Sequence, residues 1–362
     1  MSDDPVGGLF QAWRAASLGG REIVEGIVAP GLDPASPDAA RVLDAWDAGR
    51  GMHYVDRTGG ATWLVLVREF TPPRERWWRH ALLAALTLIT TTLGGASIAG
   101  HPVAWPHPAL DSLRAGLAFS LPLAAILLAH ESGHYVAARR YKVDVSPPYF
   151  IPFPASVNLL GTLGAFIRIR SPIFDRRTLF DVGIAGPIAG IVVALPVLLI
   201  GLALSAPAAL PAPSLAHQLL VVDGVPLYLG DSLLVLALRA VLGLHGTVLL
   251  HPVAVAGWVG VLVTALNLLP LAQFDGGHIA YAMDRRAQRI ASVYVWVGLL
   301  GLGMLWGGWW VWAVLALVIG RGRLAHPDVL SPVRPLDRRR MRLGWLAIAL
   351  FALTFAPLPI AG

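Results

Sequence analysis

No cysteine occurs among the 362 residues, which excludes disulfides, iron–sulfur clusters and thiolate zinc sites together. Any metal must be held by histidine, aspartate, glutamate or carbonyl oxygen. Charge is scarce as well. Charged residues make up 14% of the chain, against about 25% in soluble globular domains, while hydrophobic residues reach 56% and the mean hydropathy is +0.64. Lys142 is the only lysine, and Glu131 is the only glutamate after Glu75. The formal net charge is +6, but the arginines are not gathered on one module as a nucleic-acid surface requires. They punctuate the ends of apolar runs, the pattern of topology determinants. Met1-Ser2-Asp3-Asp4-Pro5 opens a polar, acidic stretch rather than a basic one, so no cleavable signal peptide is expected.

What is present is a series of apolar spans. They are expected near 81–99, 115–138, 179–205, 250–270, 290–306, 308–320 and 343–359, most of them long enough for a helix to cross about 30 Å of hydrocarbon. The short 308–320 segment needs its preceding tryptophans, Trp306, Trp309 and Trp310, at the interface. Segment 231–243 is too short to span and is expected at the interface. Arginine clusters fix orientation: 74–79, 139–142, 176–177, 285–289 and 321–342 all fall on one side when seven spans are drawn. The positive-inside rule then puts the N-terminus in the cytosol and the C-terminus outside. Residues 1–79 read as a small N-terminal cytosolic domain or extension, with an N-cap and first-turn proline at Ser36-Pro37 and a strand over Thr62–Phe70. Residues 80–362 read as a transmembrane domain. The expected fold is thus an all-α polytopic membrane protein of about seven transmembrane helices, with one β-hairpin, re-entrant or interfacial, and the N-terminal domain.

The chemistry begins at His130-Glu131-Ser132-Gly133-His134, which follows the apolar run Leu121–Ala129 directly. Histidines four apart project from one helix face with Cβ atoms about 6 Å apart, within reach of one metal ion, and the glutamate between them can address a water there. Ionisable residues at membrane depth are costly and mark function. At this composition the pattern arises by chance about 0.005 times per chain. A second place is the stretch from Asn267 through Pro270 to Asp275-Gly276-Gly277, where proline and paired glycines predict irregular backbone around Asp275. Catalytic zinc takes three protein ligands and one open position, and Asp275 is the best candidate for the third; the competing reading is a plain Asp-Gly-Gly surface turn. A third place is Ile151–Arg170, two β-prone segments around Gly161, Thr162 and Gly164. It reads as a hairpin whose edge could take an extended substrate strand, or as one that only packs the helices. His251, His278 and His326 lie at span ends and are left outside the metal site.

Together, His130-Glu131-x-x-His134, Asn267-x-x-Pro270 and Asp275-Gly276 resemble the site-2 protease family of intramembrane zinc metalloproteases. Thr90-Thr91-Thr92, Pro148–Pro154, Gly161–Arg168 and Phe180–Pro187 resemble a bacterial branch that also includes plant chloroplast members. The resemblance covers roughly residues 75–340. It implies Zn2+ held by His130, His134 and Asp275, with Glu131 as the base, Asn267 orienting the substrate, and Gly161, Thr162 and Gly164 as substrate-binding positions. It also implies a single-span membrane protein as substrate, the lipid bilayer as surroundings, no nucleic acid, and the bacterial inner membrane as location. Phe274 departs from the family's usual leucine before the aspartate. No inserted PDZ-like domain is visible between the motifs. Two other classes share part of the pattern. A membrane zinc peptidase of another family would supply Glu or His as third ligand, and no glutamate follows Glu131; a metal transporter would line several spans with ionisable residues, whereas few acidic residues lie in these spans beyond the proposed site, Asp181 being at the very start of one.

Overall fold

The computed structural model describes residues 6–18, 21–48, 51–57, 61–69, 75–101, 109–170, 173, 175–210, 213, 215–222, 225–327 and 335–361. The chain divides into two compact units.

The first comprises residues 1–75, 138–146 and 168–173. It is a four-stranded antiparallel sheet ordered β1-β2-β4-β3, built from β1 (Phe10–Leu18), β2 (Arg21–Val28), β3 (Gly51–Asp56) and β4 (Trp63–Glu69). Helix α1 (Pro37–Ala48) joins β2 to β3, with Ser36 Oγ accepting from the Ala39 amide at its start. Alternation along β2 and β4 turns Val24, Val28, Leu64 and Leu66 inward onto Ala39 and Leu43 of α1, the pattern of a sheet with one buried face. Trp46 closes the rim by donating its indole N–H to the Val67 carbonyl.

The second unit holds residues 76–137, 147–167 and 174–362. Its helices are α2 (Trp77–Ile98), α3 (Leu110–Arg140, up to residue 137 in this unit), α4 (Arg176–Ala203), α5 (Leu233–Val241), α6 (Pro252–Asn267), α7 (Asp275–Met283), α8 (Arg285–Leu302), α9 (Gly308–Ile319) and α10 (Arg338–Thr354). A helix overlies each of the seven apolar segments. Among the described residues, three of them, α2, α3 and α4, are long and apolar enough to cross a membrane, while α6 and α9 are shorter apolar helices. Several starts are capped by the side chain just before the helix: Asp175 for α4, Ser232 for α5, His251 for α6, Asp284 for α8 and Asp337 for α10.

Small residues bring the central helices together. A Cβ at Gly257 of α6 would lie 2.5 Å from the backbone of Leu198 on α4, and one at Gly201 of α4 would lie 2.2 Å from Ala254 on α6. Apolar helices in lipid gain little by burying oil against oil, so close backbone contact of this kind is what drives their association. Residues 254–261 of α6 are buried throughout, which makes α6 the axis of the unit.

Strands β5 (Tyr149–Pro152) and β6 (Thr162–Phe166) form a two-stranded antiparallel hairpin that overlaps the expected 151–170 region and begins two residues before it. The expectation of an otherwise all-α unit needs correction. Residues after α4 fold into β7 (Ala206–Ala208), β8 (Gln218–Val222), β9 (Val225–Leu229) and β10 (Thr247–Leu249). With β11 (Ile360–Ala361) they make a five-stranded sheet ordered β11-β9-β8-β10-β7. These strands are two to five residues long, too short for a period-two pattern, and β11 comes from more than a hundred residues downstream. Segment 231–243 is α5, connecting β9 to β10 in this insertion.

Candidate metal centre

The centre is assembled from α3, α4, α6 and α7. His130 and His134 lie one turn apart on α3, and both rings turn toward α4. There the chain has glycine wherever a ring must pass: a Cβ at Gly186 would stand 2.0 Å from His134 Nε2, and one at Gly190 would stand 3.0 Å from His130 Nδ1. Gly133, between the histidines, meets the Ala185 carbonyl, so the two helices touch backbone to backbone beside the site.

Asp275 reaches the same point from the other end of the unit. The chain leaves α6 at Asn267, runs irregularly over 268–274, and re-enters helix at Asp275. Three features hold this loop. Gln288 of α8, itself buried, donates its amide to the Pro270 carbonyl, Ala272 N–H donates to the Leu324 carbonyl, and Ala272 takes a left-handed φ of 40°. The Asp-Gly-Gly sequence is therefore no surface turn: it is the first turn of α7. The glycine pair is present for space rather than for unusual backbone angles, since a Cβ at Gly276 would stand 2.0 Å from the Leu268 carbonyl oxygen and one at Gly277 2.5 Å from that of Ala272. Placing Asp275 in the first turn also puts its carboxylate at the positive end of the α7 dipole.

Three ligand atoms converge. His130 Nε2, His134 Nε2 and Asp275 Oδ2 are 3.1 to 3.2 Å from one another. The proton positions follow from the partners. The Val182 carbonyl, 2.7 Å from His134 Nδ1, can only accept, so Nδ1 carries the hydrogen and Nε2 presents a lone pair. The Asn267 side-chain amide lies 3.1 Å from His130 Nε2, at the edge of the triangle. Two imidazole nitrogens and a carboxylate oxygen thus face one another in a buried setting. Such a donor set fits a cation. Ligand atoms about 2.0–2.1 Å from a tetrahedral zinc stand about 3.3–3.4 Å apart, close to the separations here.

Glu131 is buried beside this triangle, and its carboxylate accepts from the backbone amide of Ile167, the residue after β6. Gly161, Thr162 and Gly164 are not brought into the triangle. Gly161 lies at φ 70° against the Thr90 backbone of α2, with its carbonyl accepting from Thr90 Oγ1 at 2.6 Å; Thr162 Oγ1 donates to the Ile151 carbonyl and accepts from the Gly164 amide. These residues shape and anchor the hairpin, and its continuation at Ile167 is what touches Glu131. His278 lies one turn after Asp275 but pairs with His326, Nδ1 to Nε2 at 2.7 Å, away from the triangle. His251 caps α6. Sequence reasoning did not single out Val182, Gly186 or Gly190 for the site; glycines at 183, 186 and 190, spaced three and four apart in an apolar span, were the available signal.

With this geometry in hand, the comparisons with known proteins are direct. The family model described as peptidase family M50 matches residues 118–305. The chain is 35% identical over 336 residues to the probable chloroplastic zinc metalloprotease EGY1 of Arabidopsis thaliana, covering 83% of this chain and 58% of that protein. It is 31% identical over 304 residues to the probable chloroplastic zinc metalloprotease EGY2 of Oryza sativa subsp. indica, covering 80% and 52%. The chain thus spans about half the length of the relatives it matches, and no solved structure matches it. The family match takes in His130, Glu131, His134, Asn267 and Asp275, more than half the chain lies within it, and the chain belongs to peptidase family M50, the site-2 protease family.

Proposed function

We propose that this chain is an intramembrane zinc metalloprotease that hydrolyses peptide bonds in or near transmembrane segments of membrane proteins. The observation that carries the proposal is the convergence of His130 Nε2, His134 Nε2 and Asp275 Oδ2 within 3.2 Å, with the carboxylate of Glu131 beside them. His130, His134 and Asp275 would hold Zn2+, as the relatives' description as zinc metalloproteases supports. When bound, zinc supplies Lewis acidity at the scissile carbonyl and makes water in the site more acidic.

This chain's own residues do the rest. Glu131 takes a proton from the attacking water as its oxygen bonds to the carbonyl carbon, then returns that proton to the amine nitrogen as the carbon–nitrogen bond breaks. Val182 holds the His134 tautomer through its carbonyl. Asn267, the last residue of α6, has its amide at the ligand triangle and orients the substrate carbonyl. Among the described residues β6 pairs with β5 alone, and a substrate strand added along its other edge would run past Ile167 toward Glu131; Gly161, Thr162 and Gly164 shape the hairpin at that point. A transmembrane helix hides its carbonyls in its own hydrogen bonds, so an extended, strand-paired substrate is the form the site can attack.

The helices over the seven apolar segments, with arginines at alternate ends, are the support for reading seven spans with a cytosolic N-terminus; a bacterial cytoplasmic membrane as location rests on the family resemblance alone. Within that frame, 1–79 is the N-terminal cytosolic domain and 80–362 the protease domain, with a single-span protein as substrate.

The test is Glu131→Gln, which keeps the side-chain shape and removes the base. Cleavage of a single-span substrate in liposomes should fall by about 10²–10⁴-fold while bound zinc, measured on the same sample, stays unchanged. Turnover near the wild-type level would overturn the mechanism.

A further inference from the structure

An apolar groove of about 460 Å³ lies between α7, α8 and α10, on the far side of the loop that carries Asp275. Its lining includes Ile279, Met283, Ala287, Ala291, Trp345 and Phe351, with Pro270 and Gly276 of the segment around Asp275. The volume is in the range of small-molecule sites. Strong positive charge lies at the helix starts that flank it. There the starts of α4, α8 and α10 come together: Arg176 donates to the Ala282 and Met283 carbonyls, Arg340 pairs with Asp181, and Met283 packs on Gly344. Around these committed groups Arg286 lies in the first turn of α8, and Arg338, Arg339 and Arg342 lie in the first turns of α10, all exposed. Arg338 and Arg342 lie three residues, about one helical turn, before the groove-lining Met341 and Trp345 respectively. The acidic residues at this end, Asp284, Asp337 and Asp181, are occupied in helix caps or with Arg340.

We propose that this groove is a binding site for an anionic phospholipid, with the headgroup at the arginines and an acyl chain running along α7 toward Gly276. The occupant follows from charge complementarity. The groove has mostly apolar walls, with Asp284 and Gln288 the polar residues that line it, and dense positive charge at the helix starts beside it. That is the polarity profile of an anionic lipid; a substrate helix of neutral ends would leave the charge unanswered. A chain seated there would press on the backbone behind Asp275, making the loop's geometry sensitive to the surrounding lipid. The proposal rests on the membrane reading and not on catalysis, so it is tested equally well on the Glu131→Gln protein.

Trp345 lines the groove and is 62% exposed, which provides a probe. The full chain in detergent is titrated with phosphatidylglycerol or phosphatidylcholine brominated on the acyl chain, and the Trp345 contribution is taken as the quenching lost in Trp345→Phe. Phosphatidylglycerol should half-quench this contribution at about fivefold or more lower mole fraction than phosphatidylcholine, and Arg338→Gln with Arg342→Gln should remove the preference. Equal quenching by the two lipids in the wild-type chain, which requires no charge variant to fold, would overturn the proposal. So would a preference that survives the double arginine change. Quenching of Trp345 by a brominated single-span peptide but by neither lipid would assign the groove to a protein helix instead.

Discussion

Two buried polar clusters in the second unit differ in a way that separates function from structure. Around Asp231, between β9 and α5, the carboxylate is well supplied with donors: it takes the backbone N–H of His217 at 3.1 Å, its ring Nδ1–H at 2.6 Å and the Gln218 amide at 3.1 Å, with the Arg239 guanidinium 3.5 Å away. Charges of opposite sign are paired, although Gln218 Oε1 and Arg239 Nη1 are left without a hydrogen bond. Around Asp275 the groups are of another kind: two imidazole nitrogens and a carboxylate oxygen, each a metal ligand by type, lie within 3.2 Å of one another. Burial makes both arrangements expensive unless balanced. The first is balanced by an arginine, whereas the second has the donor set and the spacing of a cation site.

The comparison breaks most visibly at Gly186. Gly186→Ala puts a methyl group where the His134 ring now lies, so zinc affinity should fall by well over the roughly 100-fold that loss of a supporting hydrogen bond costs a metal site, and cleavage should fall with it. Gly190→Ala, with 3.0 Å to the His130 ring, should fall less. Zinc content by metal analysis and turnover on the same preparations decide this, and a fully loaded, active Gly186→Ala protein would mean that α3 and α4 are spaced differently.

The second cluster should respond in stability rather than in chemistry. Asp231→Asn leaves Arg239, 6% exposed at its side chain, buried without its counter-ion, and unfolding in detergent should become easier by about 3–5 kcal/mol. At temperatures where the variant remains folded, its zinc content and turnover should match wild type. A loss of zinc in that variant would show that the two clusters are coupled.

The smallest effect is expected at Asn267. Asn267→Ala removes one hydrogen bond at the edge of the triangle, so cleavage efficiency should drop by up to about tenfold with zinc retained. A larger loss accompanied by loss of zinc would move Asn267 from orienting substrate to holding His130.

Legibility in the sequence followed the range of the contact. His130, Glu131 and His134 could be named as one site because a helix of 3.6 residues per turn places them together whatever surrounds it. The hairpin over 149–166 was readable from its β-prone segments and glycines. Asp275 could be nominated by elimination and by resemblance, but its position in a helix rather than a turn depended on Leu268 and Ala272 closing over the glycine pair. The five-stranded sheet was hidden, because its strands are too short to show alternation and one comes from residues 360–361.

By itself, then, the sequence determined what local periodicity and composition can determine: an apolar chain with arginine-marked spans, without thiols, carrying two histidines and a glutamate on one helix. Tertiary structure alone decided that Asp275, 141 residues beyond His134, would meet those histidines at 3.2 Å, that the Val182 carbonyl would leave His134 Nε2 bare, and that glycines 186 and 190 would give the rings room. The physical reason is that a helix fixes neighbours three and four apart through its own hydrogen bonds, whereas contacts between helices depend on how closely their backbones can approach, which is set by the absence of a side chain at a few positions.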